Sequence, residues 1–334
     1  MSESASLQAV DRLVANQRIP EAISVLVAAA ARQDREALFQ LGFWQIVGDV
    51  VSRDLIAARS ALSQAAALGH HEAQMMEIAL TANGSGGAPD WKAARRLLEA
   101  TPGDNHQARQ VLELIRNMTL DADGLPAQAF VSEPLSGDGT VSRVSAFLTP
   151  AECRHLMHSA EDLLTPALVV DPRSGRKIIN PIRTSDTASI GPLREDLAIR
   201  AINMRIAELS DTSVFAGEAL TILRYQVGQQ FRLHSDALPA SKNQRTKTVI
   251  IYLNNDFIGG ETVFPILNVK VSPVMGDAII FSNVTPDGNM AVTSNHAGLP
   301  VLQGSKWIAT RWIRSNPFDI WKGSEVPIRD SHSD

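Results

Sequence analysis

Three residues in the C-terminal half of the chain have the side chains of a metal site. His234 and Asp236 are separated by one residue, and His296 follows later in the chain. The apolar, β-prone residues at 223–231 predict a strand just before His234. Positions i and i+2 of a strand face the same side, so His234 and Asp236 can bind one ion, and a second strand must bring His296 to it. Two imidazoles and one carboxylate leave three positions of an octahedral ion open, which is typical of non-haem Fe(II) oxygenases.

The case for a metal site depends on the combination of these residues. A His-x-Asp triplet is weak evidence by itself, and a single histidine such as His296 is commonly a loop or core residue. Here the triplet follows a predicted strand, and the later histidine is followed by a lysine with an adjacent tryptophan, Lys306-Trp307. We therefore interpret His234, Asp236 and His296 as metal ligands.

Several short motifs occur between about residue 140 and residue 318. They are FLTPAEC at 147–153, RTS at 183–185, RYQVGQ at 224–229, RTKTVIIYLN at 245–254, GGETVFP at 259–265, GDA at 276–278 and the stretch from Lys306-Trp307 to Trp312. In this order they resemble the catalytic domain of the prolyl 4-hydroxylase group of 2-oxoglutarate- and Fe(II)-dependent dioxygenases. The resemblance covers about half of the chain.

The resemblance implies a set of cofactors and anchoring residues. It implies Fe(II), 2-oxoglutarate and O₂ as cofactors, with ascorbate left open as a further one, and decarboxylation of 2-oxoglutarate to succinate and CO₂. Lys306 corresponds to the family's cation for the distal carboxylate of 2-oxoglutarate. Arg311 and Arg314 are the alternative cations on the same predicted strand. Tyr225 and Thr262 are expected to donate hydrogen bonds to the cosubstrate or substrate.

Substrate contacts also follow from the resemblance. Arg245 and Trp312 are expected to line the place of a peptidyl proline, although Trp312 could equally be a core residue. The polar segment 169–181 corresponds to a mobile lid, which would exclude water during chemistry. The segment between Asp236 and Arg245 is shorter than in the family, which predicts a more open rim of the active site.

The first third of the chain contains an internal repeat. Small and apolar residues recur after 36 positions, and a third, less regular copy follows. The pairs are Ala22 and Ala58, Leu26 and Leu62, Ala30 and Ala66, Ala37 and Ala73, and Gly48 and Gly84, with Ala94, Leu98 and Ala108 in the third copy. A fixed period of this kind indicates stacked helix-turn-helix units. The pattern resembles the Sel-type relatives of the tetratricopeptide repeat; the alternative is a plain alanine-rich helical bundle.

These patterns predict an α+β protein with more than one domain. An α-helical repeat (a solenoid) at 1–118 is followed by a linker or edge strand at 119–139, an oxygenase domain at 140–318 and a tail at 319–334. Thr149 is expected to begin a helix that runs to about residue 164, and a second amphipathic helix is expected at 194–209. Eight short strands, 218–227, 230–236, 246–254, 261–264, 268–272, 277–283, 290–296 and 305–315, suit a double-stranded β-helix, which is a jelly-roll variant.

Composition limits the possible partners and the compartment. The net charge of −5 argues against a surface that coats nucleic acid or binds an anionic membrane. The single cysteine, Cys153, excludes an internal disulfide framework, and His155 and His158 near it are expected to be helix-face residues rather than zinc ligands. We expect a cytoplasmic protein, because no secretory signal and no membrane span are visible.

Three functions remain to be compared at this point. The first is a hydroxylase of a residue, foremost proline, in a peptide or protein that the helical repeat docks. The second is a hydroxylase of a free amino acid or another small metabolite, with the repeat used for dimerisation. The third is a scaffold without enzymatic activity, which the intact set of His234, Asp236, His296 and Lys306 disfavours. Oligomeric state is left open.

Overall fold

The computed structural model describes residues 5–170, 177–179 and 182–322. The helices are α1 Ala5–Ala15, α2 Ile19–Ala31, α3 Arg35–Val47, α4 Leu55–Ala67, α5 His71–Asn83, α6 Trp91–Ala100, α7 His106–Asn117, α8 Pro150–Ala160 and α9 Leu197–Ser210. The strands are β1 Glu133–Pro134, β2 Val141–Val144, β3 Thr165–Pro166, β4 Leu168–Val170, β5 Lys177–Ile179, β6 Asp186–Ile190, β7 Leu220–Tyr225 and β8 Phe231–His234. They continue with β9 Arg245–Tyr252, β10 Ile258–Gly259, β11 Thr262–Phe264, β12 Val269–Val271, β13 Ala278–Ser282, β14 His296–Gly298, β15 Val301–Gln303 and β16 Lys306–Arg314.

The helical part of the chain is built with a spacing of 36 residues. Helix α2 begins at residue 19 and α4 at residue 55, and α3 begins at residue 35 and α5 at residue 71. The loops repeat as well, because Gly48 and Gly84 end α3 and α5 in the left-handed conformation, with φ of 82° and 81°. Asp54 and Asp90 then accept backbone N–H groups at the starts of α4 and α6. The predicted all-helical region is confirmed.

The repeated small residues lie where the helices touch. Ala22 and Leu26 on α2, and Ala58 and Leu62 on α4, are fully buried. A Cβ added at Gly42 on α3 would come within 3.0 Å of the Leu62 side chain, so the α3–α4 contact depends on a residue without a side chain. Close helix approach therefore explains why small residues recur with the period.

The strands form a double-stranded β-helix, as predicted. The larger sheet has the order β1-β2-β13-β9-β16-β7-β6-β3, and the smaller sheet has the order β12-β11-β14-β8. Two antiparallel pairs, β10-β15 and β4-β5, complete the ladders of the described residues. Large apolar side chains fill the interior between the sheets. They include Leu223, Tyr225, Ile250, Tyr252, Phe264, Ile279, Phe281 and Ile308.

Helices α8 and α9 pack beside the larger sheet. Thr149 and Glu152 form a capping box at the start of α8, which was predicted from the sequence. Glu152 also accepts from Arg205 of α9 at 2.7 Å, and both side chains are buried. Cys153 is buried with its Sγ 4.0 Å from the Tyr252 carbonyl oxygen, and burial raises the pKa of its thiol to about 12. The cysteine is therefore a packing residue.

Several predicted elements were wrong in detail. Instead of a strand at 290–296, the chain forms a short 3-10 helix, Val292–Ser294, and a three-residue strand that starts at His296. Strand β8 ends at His234, so Asp236 lies in the following turn and not on the strand. Strand β6 was not predicted, although it directly follows the RTS motif at 183–185. A strand of three residues such as β14 is too short for an alternating pattern to be recognised.

Contacts divide the chain into two compact units. One contains residues 1–124 and 192–201, and the other contains residues 125–191 and 202–334. The short segment 192–201 extends the helical unit, where Asn83 donates to the Pro192 carbonyl at 2.9 Å. The predicted boundary at 118 did not include this segment. In the described part of the chain, no helix combines the length and the hydropathy needed to cross a bilayer.

Candidate metal and cosubstrate site

The residues predicted to bind a metal meet at one point. Strands β8 and β14 pair directly, and His296 lies opposite His234 in the ladder. Asp236 approaches from the turn after β8. One ligand atom from each of the three residues can be chosen so that all lie within 4.8 Å of one another. The second strand that the sequence required is therefore β14.

Both histidines direct Nε2 toward this point. His234 Nδ1 is 2.8 Å from the Arg232 carbonyl oxygen, and His296 Nδ1 is 3.0 Å from the Ser294 carbonyl oxygen. A ring nitrogen that meets a carbonyl must carry the hydrogen, so Nε2 keeps its lone pair. His234 Nε2 is buried and has no hydrogen-bond partner, as expected of a nitrogen that binds a metal. The donor set of two neutral imidazoles and one carboxylate fits Fe(II).

Aromatic rings hold the two imidazoles in place. The Phe231 ring stacks on His234 at 3.5 Å between centroids, and Phe281 lies edge-on to His296 at 4.7 Å. Burial lowers the pKa of His296 to about 4, with Asp236 opposing this shift. The imidazole of His296 is therefore neutral near pH 7, which is the form that binds a metal.

The Asp236 carboxylate is fixed by contacts and not by a strand. Its Oδ2 accepts from Thr248 Oγ1 of β9 at 2.8 Å, and its Oδ1 lies 3.5 Å from His234 Nε2. Burial acts to raise the pKa of Asp236, but the contacts with His234, His296 and Thr248 outweigh it and lower the pKa below its ordinary range. The carboxylate is therefore ionised. The prediction that His234 and Asp236 lie at positions i and i+2 of one strand was wrong, because β8 ends at His234. The two side chains nevertheless meet in the metal cluster.

Lys306 is the cation beside the metal cluster. It begins β16 opposite Tyr225 and is 3% exposed, with its Nζ donating to the Gly260 carbonyl oxygen at 2.7 Å. The same ammonium lies 5.5 Å from the centre of the Tyr225 ring and 5.6 Å from that of Tyr252. Burial lowers its pKa to about 8. A buried ammonium with a single carbonyl partner is costly, which suggests room for an anion.

The two alternative cations point elsewhere. The Arg311 guanidinium donates to the backbone carbonyl oxygens of Asn203, Val214 and Glu218. Arg314 donates to the Asn243 carbonyl oxygen and pairs with Glu218 at 2.6 Å. Both are held by the protein itself, so among these three candidate cations Lys306 is the one that lies in the interior of the site.

The predicted cosubstrate contacts Tyr225 and Thr262 lie in the same interior. Both residues are buried. Thr262 Oγ1 accepts from the Tyr252 hydroxyl at 2.8 Å, which leaves the hydroxyl hydrogen of Thr262 for another acceptor. Burial raises the pKa of both Tyr225 and Tyr252, so each phenol is a neutral hydrogen-bond donor.

The predicted substrate contacts Arg245 and Trp312 lie together. The Arg245 guanidinium is 4.2 Å from the centre of the Trp312 ring. Glu218 binds Arg245 with both oxygens, at 2.6 and 2.8 Å. Trp312 is mostly buried and lies opposite Thr248 in the ladder, and its indole Nε1 has no partner. Arg245 and Trp312 therefore lie next to Thr248, which donates a hydrogen bond to Asp236.

Comparison with known proteins decides the family. Residues 220–314 match the model of the 2OG-Fe(II) oxygenase superfamily. Probable prolyl 4-hydroxylase 10 of Arabidopsis thaliana is 32% identical over 212 residues, which are 56% of this chain and 73% of the relative. The chain belongs to the prolyl 4-hydroxylase family of 2-oxoglutarate- and Fe(II)-dependent oxygenases. Prolyl 4-hydroxylase 1 of the same plant is 34% identical over 187 residues, which are 50% of this chain and 66% of the relative.

Solved structures resemble each part of the chain separately. The viral collagen prolyl hydroxylase of Paramecium Bursaria Chlorella virus-1, in complex with 2-oxoglutarate, is 28% identical, with a TM-score of 0.44, and the match covers 53% of this chain and 97% of that one. A Sel1 repeat protein from Oxalobacter formigenes is 27% identical, with a TM-score of 0.31, and the match covers 33% of this chain and 86% of that one.

Membership of the prolyl 4-hydroxylase family makes this protein an oxygenase that uses Fe(II), 2-oxoglutarate and O₂. The prediction of an enzyme is thereby confirmed, and the scaffold alternative is wrong. The described residues of the segment 169–181 belong to the β4–β5 ladder. Residues 171–176, 180 and 181 of the proposed lid lie outside the described residues.

Sequence reasoning missed several residues of the site. Thr248 and Tyr252 lie within the RTKTVIIYLN motif, where strand alternation places them on one face together with Ile250. That alternation was the signal that could have identified them. Asn283 and Glu218 carry no motif, because their roles depend on neighbouring strands and are visible only in the fold.

Proposed function

We propose that this protein hydroxylates a proline within a peptide or protein. In each turnover, 2-oxoglutarate loses CO₂ and becomes succinate, which takes up one oxygen atom of O₂. The other oxygen atom is inserted into a C–H bond of the substrate. The observation that carries the proposal is the cluster of His234, Asp236 and His296 beside the buried Lys306. The 32% identity to a probable prolyl 4-hydroxylase supports proline as the target.

In this proposal, different residues of the site bind the metal, bind 2-oxoglutarate and exclude water. His234, Asp236 and His296 hold the ion, and Lys306 binds the distal carboxylate of 2-oxoglutarate through a charge-assisted hydrogen bond. Thr262 is poised to donate to the same carboxylate, because its oxygen is already engaged by Tyr252. Bound Fe(II) supplies the redox chemistry that activates O₂. Phe231, Phe264 and Phe281 exclude water around the ligands.

A peptide assay with matched controls tests the proposal. The full chain is incubated with Fe(II), 2-oxoglutarate and a library of proline-containing peptides, each paired with the same peptide carrying alanine in place of proline. We expect a mass increase of one oxygen atom on proline peptides only, together with succinate, and no reaction with His296→Ala. Oxygen gain on the alanine peptides would contradict proline as the target.

One observation favours a small-metabolite substrate as the second candidate. The short segment after Asp236 folds back on itself: the Leu238 N–H donates to the side-chain oxygen of Gln244 at 2.7 Å, and the Gln244 side-chain amide donates to the Leu238 carbonyl oxygen at 2.8 Å. A short segment that is bonded to itself offers less surface for an extended peptide. Free L-proline and other free amino acids are therefore assayed beside the peptides, and turnover restricted to free amino acids would favour this candidate.

The role of the helical unit belongs to the same proposal. Its 36-residue spacing and buried alanines support a Sel-type repeat, and such repeats expose surfaces for peptides and proteins. We propose that it docks the macromolecular substrate, with dimerisation as the alternative. A cytoplasmic location and the use of ascorbate as a reductant complete the proposal.

A further inference from the structure

Two buried polar side chains lie behind Asp236 without being ligands. Thr248 and Asn283 are both fully buried. Thr248 Oγ1 contacts Asp236 Oδ2 at 2.8 Å, and Asn283 Nδ2 contacts Thr248 Oγ1 at 2.9 Å. A polar group in an apolar sheet is costly unless it is hydrogen-bonded, and valine would fill the place of Thr248 without that cost. The pair therefore calls for a role beyond packing.

The direction of the two hydrogen bonds is fixed by chemistry. An amide nitrogen has only hydrogens to give, so Thr248 must accept from Asn283. The single hydroxyl hydrogen of Thr248 is then donated to the Asp236 carboxylate, which can only accept. If the Asn283 amide were flipped, its oxygen would accept the hydroxyl hydrogen of Thr248. The lone pairs of the hydroxyl would then face the negative charge of Asp236. Asn283 thus orients Thr248, and Thr248 engages one oxygen of Asp236.

This arrangement makes the two carboxylate oxygens unequal. Oδ1 faces His234 Nε2 at 3.5 Å, whereas Oδ2 lies 3.8 Å from His296 Nε2 and is the oxygen bound by Thr248. Carboxylates bind metals through one oxygen or through both. We propose that Thr248, oriented by Asn283, holds Asp236 as a one-oxygen ligand and so keeps open a coordination position that 2-oxoglutarate needs. The role is independent of which substrate is hydroxylated.

The test separates cosubstrate binding from metal binding. Thr248→Val removes the hydroxyl at constant shape, Thr248→Ser keeps it, and Thr81→Val is the control. Thr81 is also a buried threonine whose hydroxyl accepts a hydrogen bond, but it lies on α5 of the helical unit. For each full-length variant, 2-oxoglutarate is titrated without O₂ into the Fe(II)-loaded protein, and binding is followed by the charge-transfer absorption of the chelate. Metal affinity is measured separately with Co(II), whose absorption reports coordination number.

We expect Thr248→Val to bind 2-oxoglutarate about tenfold or more weakly, because the Asp236 oxygen that loses this charge-assisted hydrogen bond can then occupy the coordination position that 2-oxoglutarate needs. Its Co(II) absorption should indicate an added ligand, and its metal affinity should fall by less than its 2-oxoglutarate affinity. Thr248→Ser and Thr81→Val should resemble the wild-type protein. A merely structural role would weaken both affinities alike and leave the Co(II) spectrum unchanged.

Two results would overturn the proposal. One is an unchanged 2-oxoglutarate affinity and spectrum in Thr248→Val, and the other is a Thr248→Ser protein as weak as Thr248→Val. If circular dichroism shows that Thr248→Val does not fold, Asn283→Ala answers the same question. It leaves the Thr248 hydroxyl free to turn away from Asp236, so a smaller loss in the same direction is expected, and no loss would reject the proposal.

Discussion

At the scale of single residues, the site combines buried charges that need partners. Lys306 carries an ammonium that is 3% exposed and has one carbonyl partner. Its neighbours Tyr225 and Tyr252 offer ring faces at about equal distances, which attract a cation but do not neutralise it. A dicarboxylic acid such as 2-oxoglutarate supplies the missing negative charge.

The first prediction concerns the anchoring of 2-oxoglutarate. Replacing Lys306 by alanine removes a charge-assisted hydrogen bond worth roughly 1.5–3 kcal/mol, about tenfold to a hundredfold in affinity. The KM for 2-oxoglutarate in succinate production should rise by this factor, while Co(II) affinity stays close to that of the wild-type protein. Arg311→Ala is the comparison, and our choice of cation fails if that variant shows the higher KM and Lys306→Ala does not.

The second prediction is the pH dependence of the same step. Burial lowers the pKa of Lys306 from its ordinary value to about 8, so the ammonium is present below that pH and is lost as pH rises through it. Affinity for 2-oxoglutarate should therefore be constant near pH 7 and decrease above pH 8. Calorimetric titration across this range measures it. Lys306→Ala should show no such decrease; a parallel decrease in that variant would assign the effect to another group.

At the scale of elements, short strands and helix ends position the site. β8 and β14 contribute few residues, yet their direct pairing sets His234 opposite His296. The larger sheet supplies Lys306, Tyr225 and Thr248 from neighbouring strands. Beside it, the buried pair Glu152–Arg205 joins α8 to α9, and the capping box begins α8.

The third prediction tests that helix contact. Glu152→Ala removes the capping box and leaves Arg205 buried without its carboxylate, which should lower the free energy of unfolding by about 3–5 kcal/mol. Urea denaturation followed by circular dichroism measures the loss. The control is Glu161→Ala, at the other end of the helix, whose side chain is exposed and meets His158 at 3.5 Å. An exposed pair contributes about 0–1 kcal/mol, and equal losses in the two variants would contradict the assignment.

At the scale of the whole molecule, the chain consists of two compact units. The helical unit comprises residues 1–124 and 192–201, and the oxygenase unit holds the metal and cosubstrate residues. Segment 192–201 is connected in sequence to the oxygenase strands but belongs to the helical unit, so removal of the first 124 residues deprives it of contacts.

The fourth prediction follows from this division. A truncated chain that begins at Leu125 should melt at a lower temperature than the full chain yet still convert 2-oxoglutarate to succinate without substrate. Under the docking proposal it should lose hydroxylation of a protein target, measured by mass spectrometry as added oxygen. The uncoupled reaction serves as the control for an intact oxygenase unit. Equal hydroxylation by both chains would reject docking. An insoluble truncated chain would contradict the expectation that the oxygenase unit folds without residues 1–124.

The sequence by itself determined the local features of the protein. The 36-residue recurrence indicated repeated helical units, and Thr149 with Glu152 identified the start of α8, because both signals can be read along the chain. The order of His234, Asp236 and His296 indicated a metal site, since few other functions use these residue types in this pattern.

Only the tertiary structure decided how these residues are held. Asp236 lies beyond the end of β8, and a hydroxyl from β9 fixes its carboxylate. The choice between Lys306 and Arg311 required knowing which face of β16 is the interior, because alternation along a strand assigns opposite faces without saying which one is buried. The contact of Thr248 with Asn283 depends on the register of β9 with β13. Pairing between strands distant in sequence is set by packing of the whole sheet, and no local pattern encodes it.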